Sequence, residues 1–306
     1  MRSEINKTVM ADIKISVVMV DGSFREKFHL IDCLENQTFP RGQYELIWVE
    51  HYDSVKDELA SNKGVHITTL KMPTESLYHS SYCFNEGIRQ SRGEILVIPD
   101  ADVVVRPHFL ETVKKAHEKW DELVMYIPRW DEPEEKHRGE VSLRHLEKVC
   151  VFRNPFNYGG CLTVRKDWLF MVNGYEQHEA FAGGFHANGL DLYTRFKNLG
   201  LAIKWHPTER IYHPWHPSTL AISESYQWQL EIIEQRVLAL TTRACLGLDG
   251  EYCLESQPSY LPKGNPKTLH KKREGLTGVI LKASRNRGFF RGMCFVGARV
   301  LDRMAR

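Results

Sequence analysis

The stretch that decides the fold is "EILVIPDADVVVRPHFLE", residues 94–111. Five mostly apolar residues run into Asp100, Ala101 and Asp102, and three valines follow. A short apolar run of this kind predicts a buried β-strand. Side chains alternate along a strand, so we expect Asp100 and Asp102 to face the same side. Two neighbouring carboxylates repel each other unless a cation or several donors compensate them. The stretch predicts a metal site or, more simply, a polar strand end that caps the next helix.

The residues before this stretch alternate between strand-like and helix-like patterns. Apolar runs at 13–23, 44–54 and 64–72 predict strands, and residues 24–38 and 79–93 have helical spacing. This order predicts a mostly parallel sheet with helices on both faces. Ligands of such sheets bind at the carboxyl ends of the strands. Asp21, Glu50 and the two acids of the triplet all fall at those ends.

The second half of the sequence is less regular. The polar stretch "IPRWDEPEEKHRGEVSLRHLEK", residues 127–148, predicts a mobile excursion above the site. A helix is predicted near 188–199 with Gly200 as its stop, and a long amphipathic helix from 223 to about 246. A linker rich in Pro, Gly and Ser follows at 255–267. We therefore expect one α/β domain at 1–220 and a helical, basic C-terminal region at 221–306.

Charge is distributed unevenly along the chain. Residues 263–306 hold twelve Lys and Arg against two acids, a balance of +10, so the preceding 262 residues carry −8 of the overall +2. Such a tail predicts contact with an anionic surface. Arginines interrupt each of its apolar runs, so it is expected to lie in a membrane interface without spanning it. No known nucleic-acid-binding module accompanies the basic residues, and we expect no nucleic-acid partner.

The composition indicates a cytoplasmic protein. The seven cysteines are scattered and form no CxxC pair, which favours a reducing compartment. The N-terminal residues lack the apolar core of a signal peptide. No segment approaches the roughly 20 apolar residues of a membrane span. Together with the tail, this predicts a cytoplasmic location, peripheral on the inner face of the cell membrane.

The order of these motifs resembles glycosyltransferase family 2 and its GT-A relatives over residues 13–217. The most specific pieces are the DAD triplet after "GEILVIP" and the "DLYTR…G" helix at 191–200. The resemblance implies a GT-A (Rossmann-like) fold with a mixed, mostly parallel sheet. It also implies a hexosyltransferase-type activity in which Mn²⁺ or Mg²⁺, held by the triplet, bridges the diphosphate of a nucleotide-sugar. Negative charge develops on that diphosphate as the sugar leaves, and a hard cation stabilises it.

The resemblance also assigns metal ligands. Asp102 would ligate the metal, and Asp100 would reach the ribose or the metal's waters. A third ligand is expected from a late histidine, either His213 or His216, although a histidine bonded to backbone is the simpler reading of each. His206 is expected to be structural.

The donor-binding residues follow from the same resemblance. Asp21 and Glu50 match the positions that bind the base and ribose, and Asn85 matches the residue that shapes the donor pocket. Glu50 replaces the Asp usual there, so a UDP-linked donor is an expectation from the family alone. The acceptor would be a growing glycan or a lipid-linked saccharide.

One departure concerns the catalytic base. Inverting members carry Glu-Asp where this chain has Asn188 and Gly189. Asp191 is the nearest acid and the candidate base, although an i,i+4 pair with Arg195 would make it structural. Otherwise the enzyme is retaining and needs no base, or the protein no longer catalyses transfer and is a nucleotide-sugar-binding scaffold. A haloacid-dehalogenase-type phosphatase also has a D-x-D strand end, but it needs a second acidic cluster that the later, isolated aspartates do not provide.

Overall fold

The computed structural model describes residues 12–139, 141–183, 187–217 and 223–251. The linker and the basic tail, with its predicted membrane contact, lie outside the described residues. Within them the strands are β1 (Ile15–Asp21), β2 (Tyr44–Glu50), β3 (Val65–Thr69), β4 (Ile95–Pro99), β5 (Leu123–Tyr126), β6 (Arg129–Asp131), β7 (Cys161–Arg165), β8 (Ala202–Trp205) and β9 (Ile211–His213). The α-helices are α1 (His29–Glu35), α2 (Asp57–Ala60), α3 (Ser80–Gln90), α4 (Phe109–Lys119), α5 (Leu143–Val149), α6 (Lys166–Met171), α7 (Asn188–Leu199) and α8 (Tyr226–Ala239).

Seven strands form one mixed sheet in the order β3-β2-β1-β4-β7-β5-β8. All neighbouring pairs are parallel except those of β7, which runs antiparallel to β4 and β5. A second, two-stranded sheet pairs β6 with β9 in parallel. The predicted mixed, mostly parallel sheet is confirmed.

The sheet is buried on both faces, which explains its nearly continuous apolar strands. In β1 the odd-numbered residues Ile15, Val17 and Met19 join one core and Val18 and Val20 join the other. Helices α1 and α4 cover the first face, and α3, α6 and α7 cover the second. This three-layer arrangement leaves the carboxyl edge of the parallel strands open for a site.

The predicted mobile excursion at 127–148 is wrong in part. It contains β6 and α5, because Trp130 and Leu146 pack in a small core with Tyr212 of β9. Helix α7 ends at Gly200, whose φ of 87° is the left-handed conformation expected of a glycine stop. Helix α8 is shorter than predicted and ends at Ala239. No helix in the described ranges combines the length and apolar character that a membrane crossing requires.

Candidate active site

Four carboxylates meet at the carboxyl edge of the sheet. Asp21 and Glu50 are the last residues of β1 and β2 and are direct partners in the parallel register. Asp100 and Asp102 follow the end of β4, the strand on the other side of β1. The strand ends at Pro99, so the alternation argument for the triplet is wrong: it lies in a turn beyond the strand. The two aspartates nevertheless share a direction, because both lie against the same guanidinium, that of Arg25.

The donor-side acids Asp21 and Glu50 are almost completely buried. Burial, and after it the charge of Asp21, raises the pKa of Glu50 to about 7. Ser23 Oγ donates to Glu50 at 3.1 Å and Trp48 Nε1 donates at 3.4 Å. Asp21 accepts the backbone N–H of Arg25 at 3.1 Å, while its Oδ1 has no hydrogen-bond partner among the described residues. Asp21 Oδ1 can therefore accept a hydrogen bond from a ligand at the sheet edge.

Two arginines neutralise part of the acidic cluster, and the sequence reading singled out neither. Arg25 contacts Asp102 directly. Arg129 donates from Nη1 to Asp100 Oδ2 at 3.1 Å, and its Nε lies 3.0 Å from Asp131 Oδ1. Arg129 and Asp131 are alternate residues of β6, the strand that the sequence reading missed. Their alternate positions in "RWD" place both on one face of the strand, but three residues are too few to predict that strand from the sequence.

Strand β9 and the residues that follow it bring two histidines to Asp102. Ligand atoms of Asp102, His213 and His216 all lie within 4.8 Å of one another. His213 Nε2 lies 3.8 Å from Asp102 Oδ1, and His216 Nε2 lies 3.7 Å from Oδ2. The pairing of β6 with β9 also sets Asp131 opposite His213, with Oδ1 at 3.3 Å from Nδ1. Both histidines that the sequence offered as alternatives are therefore present together.

These residues fit a divalent cation. Asp102 Oδ1 is buried and has no hydrogen-bond partner among the described residues, so an oxygen lone pair faces the histidines unused. Burial opposes ionisation of Asp102, but Arg25 and then His213 and His216 outweigh it and hold its pKa below the ordinary value. A metal ligand must be deprotonated, and Asp102 is held in that form. Asp131 lies on the other side of the His213 ring, where a carboxylate would orient the imidazole of a metal ligand.

Two predicted residues serve as structural supports. Asn85 is buried in α3 and binds the backbone of Tyr175 twice, donating from Nδ2 to the carbonyl and accepting the N–H at Oδ1, each at 2.8 Å. His206 accepts the backbone N–H of Glu209 at Nδ1, 2.7 Å away. The first contact joins α3 to the segment after α6, and the second closes the turn after β8.

Asp191 lies in a buried ion-pair network. Its Oδ2 accepts Arg195 Nε at 2.9 Å, and its Oδ1 accepts Arg236 Nε from α8. Arg236 also pairs with Glu176, and all four side chains are at most 1% exposed. Both oxygens of Asp191 are occupied by guanidinium donors, and the fully buried side chain is not exposed to an incoming acceptor. The geometry therefore favours the structural role of Asp191 over the role of base.

The position that holds the base in the resembling family has no room for one. A Cβ added at Gly189 would lie 2.8 Å from the carbonyl oxygen of Tyr158 and 3.0 Å from the backbone nitrogen of Gly159. Asn188, beside it, donates from Nδ2 to Ser80 Oγ at 2.9 Å within the protein. The start of α7 is thus packed against the loop before β7 and presents no carboxylate at these two positions.

Comparisons with known proteins agree with this architecture. Residues 57–174 match the sequence model of the family described as Glycosyl transferase family 2. None of the curated proteins matches the sequence significantly. Among solved structures, S. aureus TarS 1–349 in complex with UDP is similar at a TM-score of 0.55 and 14% identity. The same protein in complex with UDP-GlcNAc has a TM-score of 0.56 and 15% identity, and in both comparisons 96% of this chain and 89% of that chain are covered.

The matched segment begins with α2, extends just past α6 and includes the DAD triplet. Fold and matched segment together define the class of protein, a glycosyltransferase with the GT-A fold. Within that class, the chain is similar to Glycosyl transferase family 2 over residues 57–174.

Proposed function

We propose that this glycosyltransferase is metal-dependent and moves a sugar from a UDP-linked donor to a glycan or lipid-linked saccharide. The observation that carries the proposal is the convergence of Asp102, His213 and His216 at the ligand edge of the sheet. The donor assignment is supported by the similar fold of TarS, whose structures contain UDP and UDP-GlcNAc. The predicted docking of the basic tail on an anionic membrane belongs to the same proposal and rests on the sequence.

Asp102 and His213 would hold the cation, with His216 as a further ligand. Imidazole nitrogens suit Mn²⁺ better than Mg²⁺, which prefers oxygen ligands, so Mn²⁺ is the favoured ion. When bound, it stabilises the charge that develops on the leaving diphosphate. Arg129 keeps Asp100 in place and reduces the repulsion between the two aspartates of the triplet.

Asp21 and Glu50 would bind the base and ribose of the donor, and Asn85 shapes the pocket wall. With a pKa near 7, Glu50 is partly protonated at neutral pH and can donate a hydrogen bond as well as accept one. An Asp with an ordinary pKa is ionised at neutral pH and would only accept hydrogen bonds.

The start of α7 is relevant to whether the transfer inverts or retains the anomeric configuration of the sugar. Since Gly189 leaves no space for a carboxylate and Asp191 is paired with two arginines, we favour transfer with retention, which takes no base from α7. The same observation is compatible with a second function, a nucleotide-sugar-binding scaffold without transfer.

A panel of nucleotide-sugars incubated with Mn²⁺ tests the proposal through release of free nucleoside diphosphate. We expect one UDP-sugar to be consumed, and the Asp102→Ala variant and a chelator each to abolish both turnover and cation-dependent UDP binding. Asp167→Ala, an exposed acid in α6 at the opposite edge of the sheet, is the matched control and should behave as wild type. Metal-independent turnover that survives Asp102→Ala would overturn the metal assignment. UDP binding without turnover of any donor would favour the scaffold.

A further inference from the structure

Arg25 occupies the centre of the carboxylate cluster. It lies in the loop 22–28, which joins β1 to α1 without helix or strand. Its guanidinium contacts Asp102, and the acids Asp21 and Asp100 lie within 3.8 and 3.9 Å of it. One cationic side chain thus compensates acids at the carboxyl ends of two adjacent strands.

The hydrogen bonds of Arg25 are incomplete. Its Nε is buried and has no hydrogen-bond partner in the described ranges. The five N–H groups of a guanidinium form a fork that matches phosphate oxygens, and an unused buried donor favours a further anionic partner. Arg25 is therefore available to a ligand that enters beside Asp102.

The positive charge of Arg25 also opposes the binding of a cation at Asp102. A divalent ion bound to Asp102 would lie within a few ångströms of the guanidinium, and two positive charges at that distance repel strongly in a partly buried site. The carboxylate of Asp102 cannot ligate a cation and pair fully with the guanidinium of Arg25 at the same time. A cation alone therefore has to compete with Arg25 for Asp102.

We propose that Arg25 is a diphosphate-binding residue that makes the cation and the nucleoside diphosphate bind cooperatively. This inference rests on the proposed function, since it takes the cation at Asp102 and the diphosphate on that cation. When the diphosphate arrives, the guanidinium turns from Asp102 to the phosphate oxygens and leaves the carboxylate to the metal. By linkage, each ligand then strengthens the other by the same factor.

Calorimetry on the full chain measures this coupling directly. Mn²⁺ is titrated with and without UDP, and UDP with and without Mn²⁺; inorganic pyrophosphate is a second probe that removes any dependence on the base. For wild type we expect UDP to tighten Mn²⁺ binding about tenfold or more. In Arg25→Gln, Mn²⁺ alone should bind about tenfold tighter, UDP should bind its Mn²⁺ complex more weakly, and the coupling should fall below about threefold.

Two further variants keep the test decisive. Arg25→Lys retains the positive charge without the fork, so Mn²⁺ alone should bind as weakly as in wild type while the coupling falls. Arg92→Gln makes the same charge change at the opposite edge of the sheet, where Arg92 pairs with Glu45, and should match wild type. Unchanged or weaker Mn²⁺ binding by a folded Arg25→Gln, or wild-type coupling in it, would overturn the inference. Loss of Mn²⁺ binding in Asp102→Ala establishes the metal site separately, so survival of binding there would count against the proposed function.

Discussion

Replacing Asp191 by Asn separates the structural role of this acid from the role of base. The substitution leaves the fully buried guanidiniums of Arg195 and Arg236 facing a neutral amide instead of a carboxylate. Removing one partner of a buried ion pair typically costs about 3–5 kcal/mol, because a desolvated charge is left uncompensated. Arg236 keeps Glu176 and Arg195 keeps the carbonyl of Val172, at 2.7 Å, so the lower end of that range, about 3 kcal/mol, is expected.

The assay is thermal unfolding followed by circular dichroism, combined with UDP binding well below the transition. In a domain of this size about 3 kcal/mol lowers the melting temperature by roughly 6–12 °C. Below the transition, UDP binding should be close to wild type, because the network lies away from the donor-side acids.

A double-mutant cycle adds an internal control. Removing Arg195 as well, in Asp191→Asn with Arg195→Met, deletes both partners of the pair, so the combined loss should be smaller than the sum by about 1–3 kcal/mol. The reasoning is refuted if Asp191→Asn melts like wild type while turnover falls by about two orders of magnitude, the usual scale of a lost general base.

Two other predictions concern the metal ligands and the donor pocket. His213→Ala should weaken Mn²⁺ affinity, measured by electron paramagnetic resonance of the free ion. His206→Ala should lower only the melting temperature. The reverse outcome would make His206 the metal ligand in place of His213. Glu50 has a pKa raised from 4.5 to about 7, so between these values the folded state binds more protons than the unfolded state. Its contribution to stability is therefore lost as pH rises through this window, by about 3 kcal/mol. Glu50→Gln should remove this part of the difference between melts at pH 5 and pH 8, and an unchanged difference would contradict the raised pKa.

The sequence by itself determined the layers of the fold and one edge of the site. Strands buried on both faces need continuous apolar runs, and the runs ending in Asp21, Glu50 and Pro99 are long enough to be read without knowing their neighbours. Parallel strands separated by helices end at one edge, so the meeting of their terminal acids also follows from the order of elements.

Only the tertiary structure decided what those acids contact. Arg25 reaches Asp102 across 77 residues of sequence, and Arg236 reaches Asp191 across 45. An arginine on an irregular loop or an amphipathic helix looks the same in sequence whether water or a carboxylate surrounds it. The short β6 escaped prediction because three residues give too little periodicity, and with it went the placement of Arg129 and Asp131.

The start of α7 shows the same division between what the sequence reveals and what the tertiary structure decides. The missing base was visible in the sequence as Gly189, but the reason for the glycine was not. That reason is the backbone of Tyr158, packed where a side chain would lie. A local pattern reports which side chains a segment carries, whereas the space around them and the charges facing them are set by segments distant in sequence that folding brings together.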